Sequence, residues 1–563
     1  MTGEHNDLLA DNIRKSRTLR GVTPDRHDTP WRSFAHLLDA RARLTPEQIY
    51  LIYYDDRTGE RGEYSYSAFN RRVNQAANYL RDGLGVRRGD RVATLAYNHP
   101  DTMLLFFACW KIGAVATPQN AGEDDARIAF ILQNGECRLL LTMPEYLDCA
   151  TAIRPNAQCV KQIVALDNIF QKNLDAQQEV FAAPADNMLD DEAMLVYTSG
   201  TTGAPKGLML SQYNLFADCK AMAEWQGMTA ESRMMCVLPL HHMNGINVTH
   251  VLPMLVGSSV VLNRGFKAST FWRRMSAEQV HIVSVVPTIL QFLCEANEAI
   301  SSLDLSAGRH FICGAGTLAV SLVTRFEDRF GIKVMHGYGL SETTSFSCFT
   351  PLDLTPEQHR YWHTHYGYPS IGVALPVNEM AIHDHEGRAQ TAGEKGEIVM
   401  RGHNVMLGYF KRDDANLESF RHGWFRSGDE GFYELDDRGR AFYFITGRLK
   451  ELINRGGVKY SPFEIEEVLL SCSGVKVGLA IAFDNDWYGE EVGAYVVTDE
   501  DAQLSEAQVL AHCRAHMPFA KAPKVVKFGT EIPVTTTGKY QRLQLKSLFR
   551  QYQSEQFKAP SGS

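Results

Sequence analysis

The chain has 563 residues, 44% hydrophobic and 22% charged, the balance of an ordinary soluble globular protein with about two to four domains. Its 57 Lys and Arg against 66 Asp and Glu give a formal net charge of −9, which excludes the basic face that a nucleic-acid backbone requires. The 11 Cys include no CxxC pair, which excludes a zinc knuckle or a disulfide framework and points to buried thiols in a reducing compartment.

Residues 1–30 are polar and charge-rich, read as a loose N-terminal arm without the apolar stretch of a signal peptide. From about Trp31 helical and strand-like segments alternate. Residues 67–80 (SAFNRRVNQAANYL) have helical spacing of apolar positions, 91–97 (RVATLAY) read as a strand, 101–112 as a helix, and 113–117 and 138–142 (RLLLT) as strands. This alternation predicts an α/β fold with parallel sheets covered by helices. The longest apolar runs, 103–110, 251–262 and 282–293, fall short of the roughly 18 residues of a membrane span, and two contain Pro. They read as buried strands and core helices of a cytoplasmic protein.

After the apolar run 194–196 comes YTSGTTGAPKG at 197–207, with three Gly, three Thr, a Ser and a Lys. Gly lets backbone N–H groups approach anionic oxygens, hydroxyls donate to them, and Lys206 adds charge. The P-loop pattern GxxxxGK[ST] is not met, because Pro205 and Gly207 occupy two of its fixed positions, which argues against a P-loop phosphotransferase. His359 and His363 have i,i+4 spacing and His365 follows, but no Cys or carboxylate partner is evident in the sequence. These three His, like His250, are therefore expected to be non-ligating, the three on a loop or helix surface. Farther on, 441–445 (AFYFI) reads as a strand. Ser461-Pro462-Phe463-Glu464 reads as a helix start, with Ser461 as N-cap and Pro462 at the first helical position. The boundary between a large domain, 31–449, and a small mobile one, 450–563, is placed here.

The loop at 197–207 strongly resembles the signature of the AMP-forming acyl-adenylate synthetase superfamily, which includes acyl-CoA synthetases, peptide-synthetase adenylation domains and firefly luciferase. Further signatures follow in order: LPLHHMNG at 238–245, GYGLSETT at 337–344, RSGDEG at 426–431, GRLKELINRGG at 447–457 and TTTGKYQR at 535–542. The resemblance implies a large N-terminal domain of stacked sheets covered by helices and a small mobile α/β C-terminal domain. It also implies ATP-dependent activation of a carboxylic acid, acyl or aryl, to acyl-AMP and pyrophosphate, then transfer to the thiol of CoA.

That chemistry brings a carboxylate to the α-phosphate of ATP, anion to anion, and so needs cations and oriented donors. By resemblance, Thr198, Ser199, Gly200, Thr201, Thr202, Gly203 and Lys206 hold the β,γ-phosphates. Glu342 holds Mg²⁺, Thr343 donates to the α-phosphate, and Lys539 bridges carboxylate and phosphate. Asp429 accepts from the ribose hydroxyls with Arg448 beside it, and Gly314, Ala315, Gly316 and Tyr338 form the adenine wall. His241 and the gating His242 border the acyl pocket, where Gly314, Gly337 and Gly339 leave the wall bare for an aryl ring or alkyl chain. Lys450 is the hinge between two domain orientations, and Arg455, Gly456 and Gly457 line the CoA tunnel.

Amino-acid-activating relatives place an Asp shortly after the Pro-Leu that here precedes His241 and His242, so an α-ammonium on the acid is disfavoured. Two alternatives stand beside the CoA ligase. One transfers the acyl group to the phosphopantetheine of a carrier protein, which would be a separate chain because no carrier segment follows here. The other is a non-catalytic nucleotide-binding relative, against which the presence of Lys206, Glu342 and Lys539 counts.

Overall fold

Burial on both faces makes parallel strands read as continuous apolar runs, and such runs form the centres of two large sheets. The structure is a computed structural model describing residues 3–198, 205–296, 298, 300–499, 501–534 and 540–558. One sheet has seven strands in the order Gly408–Tyr409, Lys206–Ser211, Glu192–Thr198, Val115–Gln119, Arg91–Leu95, Leu139–Thr142 and Gln162–Ala165. Its last five run parallel, and Glu192–Thr198 forms an antiparallel hairpin with Lys206–Ser211. The other sheet has nine strands. Six are parallel neighbours in the order Lys333–Tyr338, His310–Cys313, Ile282–Val285, Arg233–Cys236, Ser259–Asn263 and Ile49–Asp55, with antiparallel strands at both edges.

The apolar run at 103–110 lies in the helix Pro100–Ile112, which is buried on every side. Its one basic side chain is satisfied in place: Lys111 Nζ donates to Asp39 Oδ1 (2.6 Å), Asn70 Oδ1 (2.8 Å) and Asn74 Oδ1 (2.7 Å). The other two runs are split, one at the left-handed Gly257 (φ +87°) into Leu252–Val256 followed by Ser259–Asn263, the other at Pro287 into Ile282–Val285 followed by Pro287–Glu295. Among the described residues no helix is long and apolar enough to cross a membrane. All 11 thiols are free, and nine are buried.

An antiparallel sheet and a mixed one follow. Asn378–His383, Gly396–Gly402, Phe425–Leu435 and Ala441–Arg448 form the first, of four strands. In the small C-terminal domain, Val475–Asn485 and Gly489–Thr498 form the main ladder, flanked by Ile453–Arg455 and by the parallel strand Val525–Phe528. This domain has its own apolar core, including Ile453, Ile465, Leu469, Val492 and Val509. The fold is therefore a large N-terminal α/β domain followed by a small one.

The polar N-terminus departs from its reading as a loose arm. Gly3–Ser16 is a helix, Ser16 is fully buried, Arg20 N–H donates to Glu379 Oε2 (3.0 Å), and the His403 ring bonds the Val22 carbonyl (3.0 Å). The segment's few apolar groups and its backbone are satisfied by contacts made far along the chain, which composition does not report. At the start of Pro462–Leu470, Ser461 accepts from Glu464 N–H as a cap. The Glu464 side chain does not return to the cap, however; it takes the Tyr368 hydroxyl, Lys395 (3.0 Å) and Lys521, and so ties the small domain to the large one.

Candidate active site

The hairpin of Glu192–Thr198 and Lys206–Ser211 sets the mouth of the Gly/Thr-rich loop: Thr198 stands opposite Lys206, so the chain re-enters the sheet beside the point where it left. Ser199, Gly200, Thr201, Thr202 and Gly203 lie outside the described residues, as does Lys539. Lys206 Nζ is 5.1 Å from the centroid of the Tyr409 ring, a cation–π contact. The Tyr409 hydroxyl donates to Glu342 Oε1 at 2.9 Å. Burial and the Glu342 carboxylate hold the Tyr409 phenol well above its usual pKa, so it remains a donor. Nothing in local spacing marks Tyr409. It arrives through a two-residue strand paired with Lys206–Ser211, and the Asn416 amide bonds its N–H and C=O at 2.7 and 3.0 Å.

Glu342 is presented by the one-turn helix Ser341–Thr343, which ends at Thr344 with φ +67°. A β-branched residue in that region is strained and persists only where its surroundings hold it. Here Thr344 Oγ1 donates to the Asn404 carbonyl (2.8 Å) and Met406 N–H donates to the Glu342 carbonyl (2.9 Å). The Thr343 hydroxyl accepts from Leu340 N–H (3.1 Å) and donates to Leu340 C=O (3.2 Å), so it is occupied within the turn.

Behind this turn lies Asp218, a residue the sequence reading passed over; its signal was one carboxylate among the buried positions of the helix Gln212–Trp225. Ser345 Oγ and Asn247 Nδ2 (3.0 Å) both donate to Asp218 Oδ2, and burial pushes its carboxyl up to about 8. Because the folded pKa lies above the ordinary value of 3.8, the native state keeps a proton that the unfolded chain releases, and stability falls as pH rises from about 4 to about 8. Asp218→Asn should remove that component. From pH 5 to pH 8, the variant should gain at least about 1 kcal/mol relative to the unmodified chain in denaturant unfolding. A difference independent of pH would show that Asp218 is ionised.

On the opposite side, Asp429 is almost fully buried on Phe425–Leu435, directly across from Arg448 on Ala441–Arg448. Its Oδ2 accepts from the Tyr338 hydroxyl (2.7 Å) and its Oδ1 lies 3.3 Å from Arg448 Nε. The Asp429 carboxylate raises the Arg448 pKa, and burial and Asp429 together hold the Tyr338 phenol well above its ordinary value. Ser427 Oγ accepts from Asp429 N–H (3.0 Å) and donates to the Ile398 carbonyl (2.6 Å), which fixes the backbone under the carboxylate.

The glycines carry a correction. A Cβ at Gly314 would stand 2.7 Å from both the Gly337 carbonyl and Phe346; one at Gly337 would stand 2.2 Å from Phe349, and one at Gly339 2.2 Å from the Ser345 carbonyl. These positions do not leave a bare wall; glycine lets Phe346, Phe349 and the Ser345 backbone close onto the strand Lys333–Tyr338. Gly316 has Pro287 at 3.3 Å, and Ala315 takes the left-handed conformation at φ +64°.

His241 and His242 follow a segment held by Asn98, whose side chain donates to the Leu238 carbonyl (2.9 Å) and accepts from Leu240 N–H (2.8 Å). Their ring centroids are 4.4 Å apart. Burial lowers the His241 pKa to about 4, so this ring is neutral at neutral pH. His250 is a core residue whose Nδ1 bonds the Gly245 carbonyl (2.8 Å), and His365 is exposed and stacked on Tyr361. The surface expectation is wrong for two of the three later His: His359 and His363, on the helix Pro356–Thr364, are 3% and 2% exposed. The carboxylate missing from the sequence pattern is Glu327, supplied by the neighbouring helix Val320–Phe330.

Lys450 is exposed in the turn between the last strand of the large domain and Ile453–Arg455. Arg455 and Val458 pair across a two-residue hairpin in which Gly456 and Gly457 have φ +59° and +87°. Both central residues of this turn type require positive φ, which is why two Gly stand together, and the pair was itself a legible hairpin signal. Arg455 Nε donates to Glu491 (2.8 Å), and its guanidinium lies 3.7 Å from the Tyr488 ring centroid.

Residues 38–410 match the model of the AMP-binding enzyme family, and residues 464–539 that of the AMP-binding enzyme C-terminal domain. The chain is 33% identical to the sulfoacetate–CoA ligase of Cupriavidus necator, over 91% of this chain and 97% of that protein. It is 31% identical to the oxalate–CoA ligase of Arabidopsis thaliana, over 84% and 90%. Among solved structures, ATP-bound MatB from Rhodopseudomonas palustris superposes with a TM-score of 0.82 at 26% identity, covering 92% of this chain and 99% of that one. The o-succinylbenzoate CoA synthetase of Bacillus subtilis, in complex with its acyl-adenylate intermediate, gives 0.78 at 28% identity, covering 91% and 97%.

Proposed function

The chain belongs to the AMP-binding enzyme family, and on that premise we propose that it is an AMP-forming ligase joining a carboxylic acid to CoA. The acid oxygen attacks the α-phosphorus of ATP and pyrophosphate leaves; the CoA thiol then attacks the acyl carbon, and AMP leaves with the thioester formed. The observation that carries this reading is the adjacency of two preformed polar sets. Tyr338, Asp429 and Arg448 form one, Lys206, Tyr409 and Glu342 the other, and the Glu342 charge is felt at Arg448. Tyr338 and Thr198 end parallel strands, the carboxyl edge at which α/β sheets bind ligands.

In this reading Asp429 accepts from the ribose hydroxyls, as an acceptor-only group suits. Lys206 and the hydroxyls of the Gly/Thr loop take the β,γ-phosphates, and Lys539 meets the carboxylate and α-phosphate together. Thr343 reaches the α-phosphate by exchanging its bond to Leu340. Glu342 fits Mg²⁺: Tyr409 engages its Oε1, and one carboxylate completed by phosphate oxygens and water is how this ion is usually held. When bound, Mg²⁺ would draw negative charge from the phosphates. Lys450, in its exposed turn, is the pivot between the large domain, 31–449, and the small one, 450–563. The hairpin of Arg455, Gly456 and Gly457 faces the thiol. The neutral His241 ring and the lack of an Asp directly after Leu240 favour an acid without an α-ammonium.

CoA rather than a carrier protein is supported as acceptor because the relatives above are CoA ligases. The test is pyrophosphate release with MgATP across short, dicarboxylic, sulfonated, aryl and long-chain acids, each with and without CoA. The expected result is release that rises with CoA, with AMP and a thioester as products. Release indifferent to CoA would overturn the acceptor, and no release with any acid would overturn the activity.

A further inference from the structure

Two imidazoles four residues apart on one helix project from the same face. His359 and His363 are such a pair, with ring centroids 4.3 Å apart and perpendicular planes. Both are buried, and the carboxylate of Glu327 reaches them from the adjacent helix. One ligand atom from each of the three residues lies within 4.8 Å of the other two.

The hydrogen bonds made here do not account for the donors present. Glu327 Oε1 takes the His359 Nε2 (2.8 Å) and Val334 N–H (2.8 Å), and His363 Nε2 has only a long contact with Thr350 Oγ1 (3.4 Å). The Nδ1 atoms of both His359 and His363 are buried without a hydrogen-bond partner. A core histidine kept for packing normally has its ring nitrogens satisfied; here each of the two rings keeps one buried nitrogen without a partner, in a cluster that also holds a carboxylate.

We propose that Glu327, His359 and His363 form a binding site for one divalent cation of the zinc class. Two imidazole nitrogens and one carboxylate oxygen select a borderline cation over Mg²⁺ or Ca²⁺, which prefer oxygen alone. A fourth position is left for water. In the chain, Glu327 and His359 bracket the strand Lys333–Tyr338 and the turn Ser341–Thr343. The cation would therefore close a loop of about 30 residues around Tyr338 and Glu342, restricting the unfolded chain as a cross-link does.

The test uses the full chain, stripped by chelator and titrated with Zn²⁺ against a chromophoric competitor, and with Co²⁺ followed by visible absorption. One equivalent should bind, with the ligand-field bands of a nitrogen- and oxygen-ligated Co²⁺. Affinity should fall at least about 100-fold in His363→Ala and His359→Ala, and about 10-fold or more in Glu327→Gln. Glu327→Gln keeps both imidazoles and a partly exposed side chain, and decides the matter if a His variant fails to fold. The proposal is overturned if the unmodified chain binds no stoichiometric equivalent, if binding is unchanged in these variants, or if Co²⁺ gives the charge-transfer bands of thiolate ligation.

Discussion

Lys539→Ala is expected to lower acid-dependent pyrophosphate release by about 10³-fold, while attack of CoA on supplied acyl-AMP stays near that of the unmodified chain. The first step brings a carboxylate against a polyphosphate, and a preorganised donor aimed at developing charge is worth on the order of 10²–10³ in rate, more when it carries full charge. The second step expels AMP before a neutral or thiolate sulfur and needs no cation between two anions. Lys539 itself lies outside the described residues, but both ends of its segment are anchored. Val534 pairs with Tyr540, and Arg542 grips Glu451 (3.0 Å) and Glu466 (2.8 and 3.0 Å). Glu451 directly follows Lys450, so the segment carrying the lysine is tied to the turn between the domains. Separate measurement of the two half-reactions decides the role: equal loss in both would remove Lys539 from the adenylation step.

The second large effect is expected at Asp429. Its carboxylate already takes the Tyr338 hydroxyl and pairs with Arg448, with lone pairs left for two ribose hydroxyls. Asp429→Ala would remove the acceptor and also strand the Tyr338 hydroxyl and the Arg448 charge. Hydrogen bonds to a charged group contribute about 1.5–3 kcal/mol each, so kcat/KM for ATP should fall about 10²-fold or more. Most of the change should appear in the KM for ATP, with the KM for the acid little altered. An unchanged ATP dependence, in a variant whose unfolding midpoint is preserved, would exclude the ribose contact.

Where an element depends on neighbours within a few residues, the sequence was sufficient. Ser461 as a cap, the buried runs of the parallel strands and the family motifs are of this kind, and periodicity and turn chemistry report them. The paired glycines at 456 and 457 were equally legible as a hairpin, though they had been read only for access to a thiol. What the tertiary structure decided are contacts whose partners are far apart in sequence. Tyr409 meets Glu342 across 67 positions, Ser345 reaches Asp218 across 127, and Asp429 takes its hydrogen bond from Tyr338 across 91. Gly337 and Gly339 looked like open space because a sequence records that a side chain is absent and not what fills its place; Phe349 and the Ser345 backbone fill it. His359 and His363 looked solvent-exposed for the same reason, since their helix is polar in composition and the Glu327 that faces them belongs to another helix. Local patterns determine which elements form and which chemistry they carry, because those free energies arise within a turn or two of chain. Which groups are buried, and against which partner, is set by sheet order and helix packing, and no spacing in the sequence encodes that.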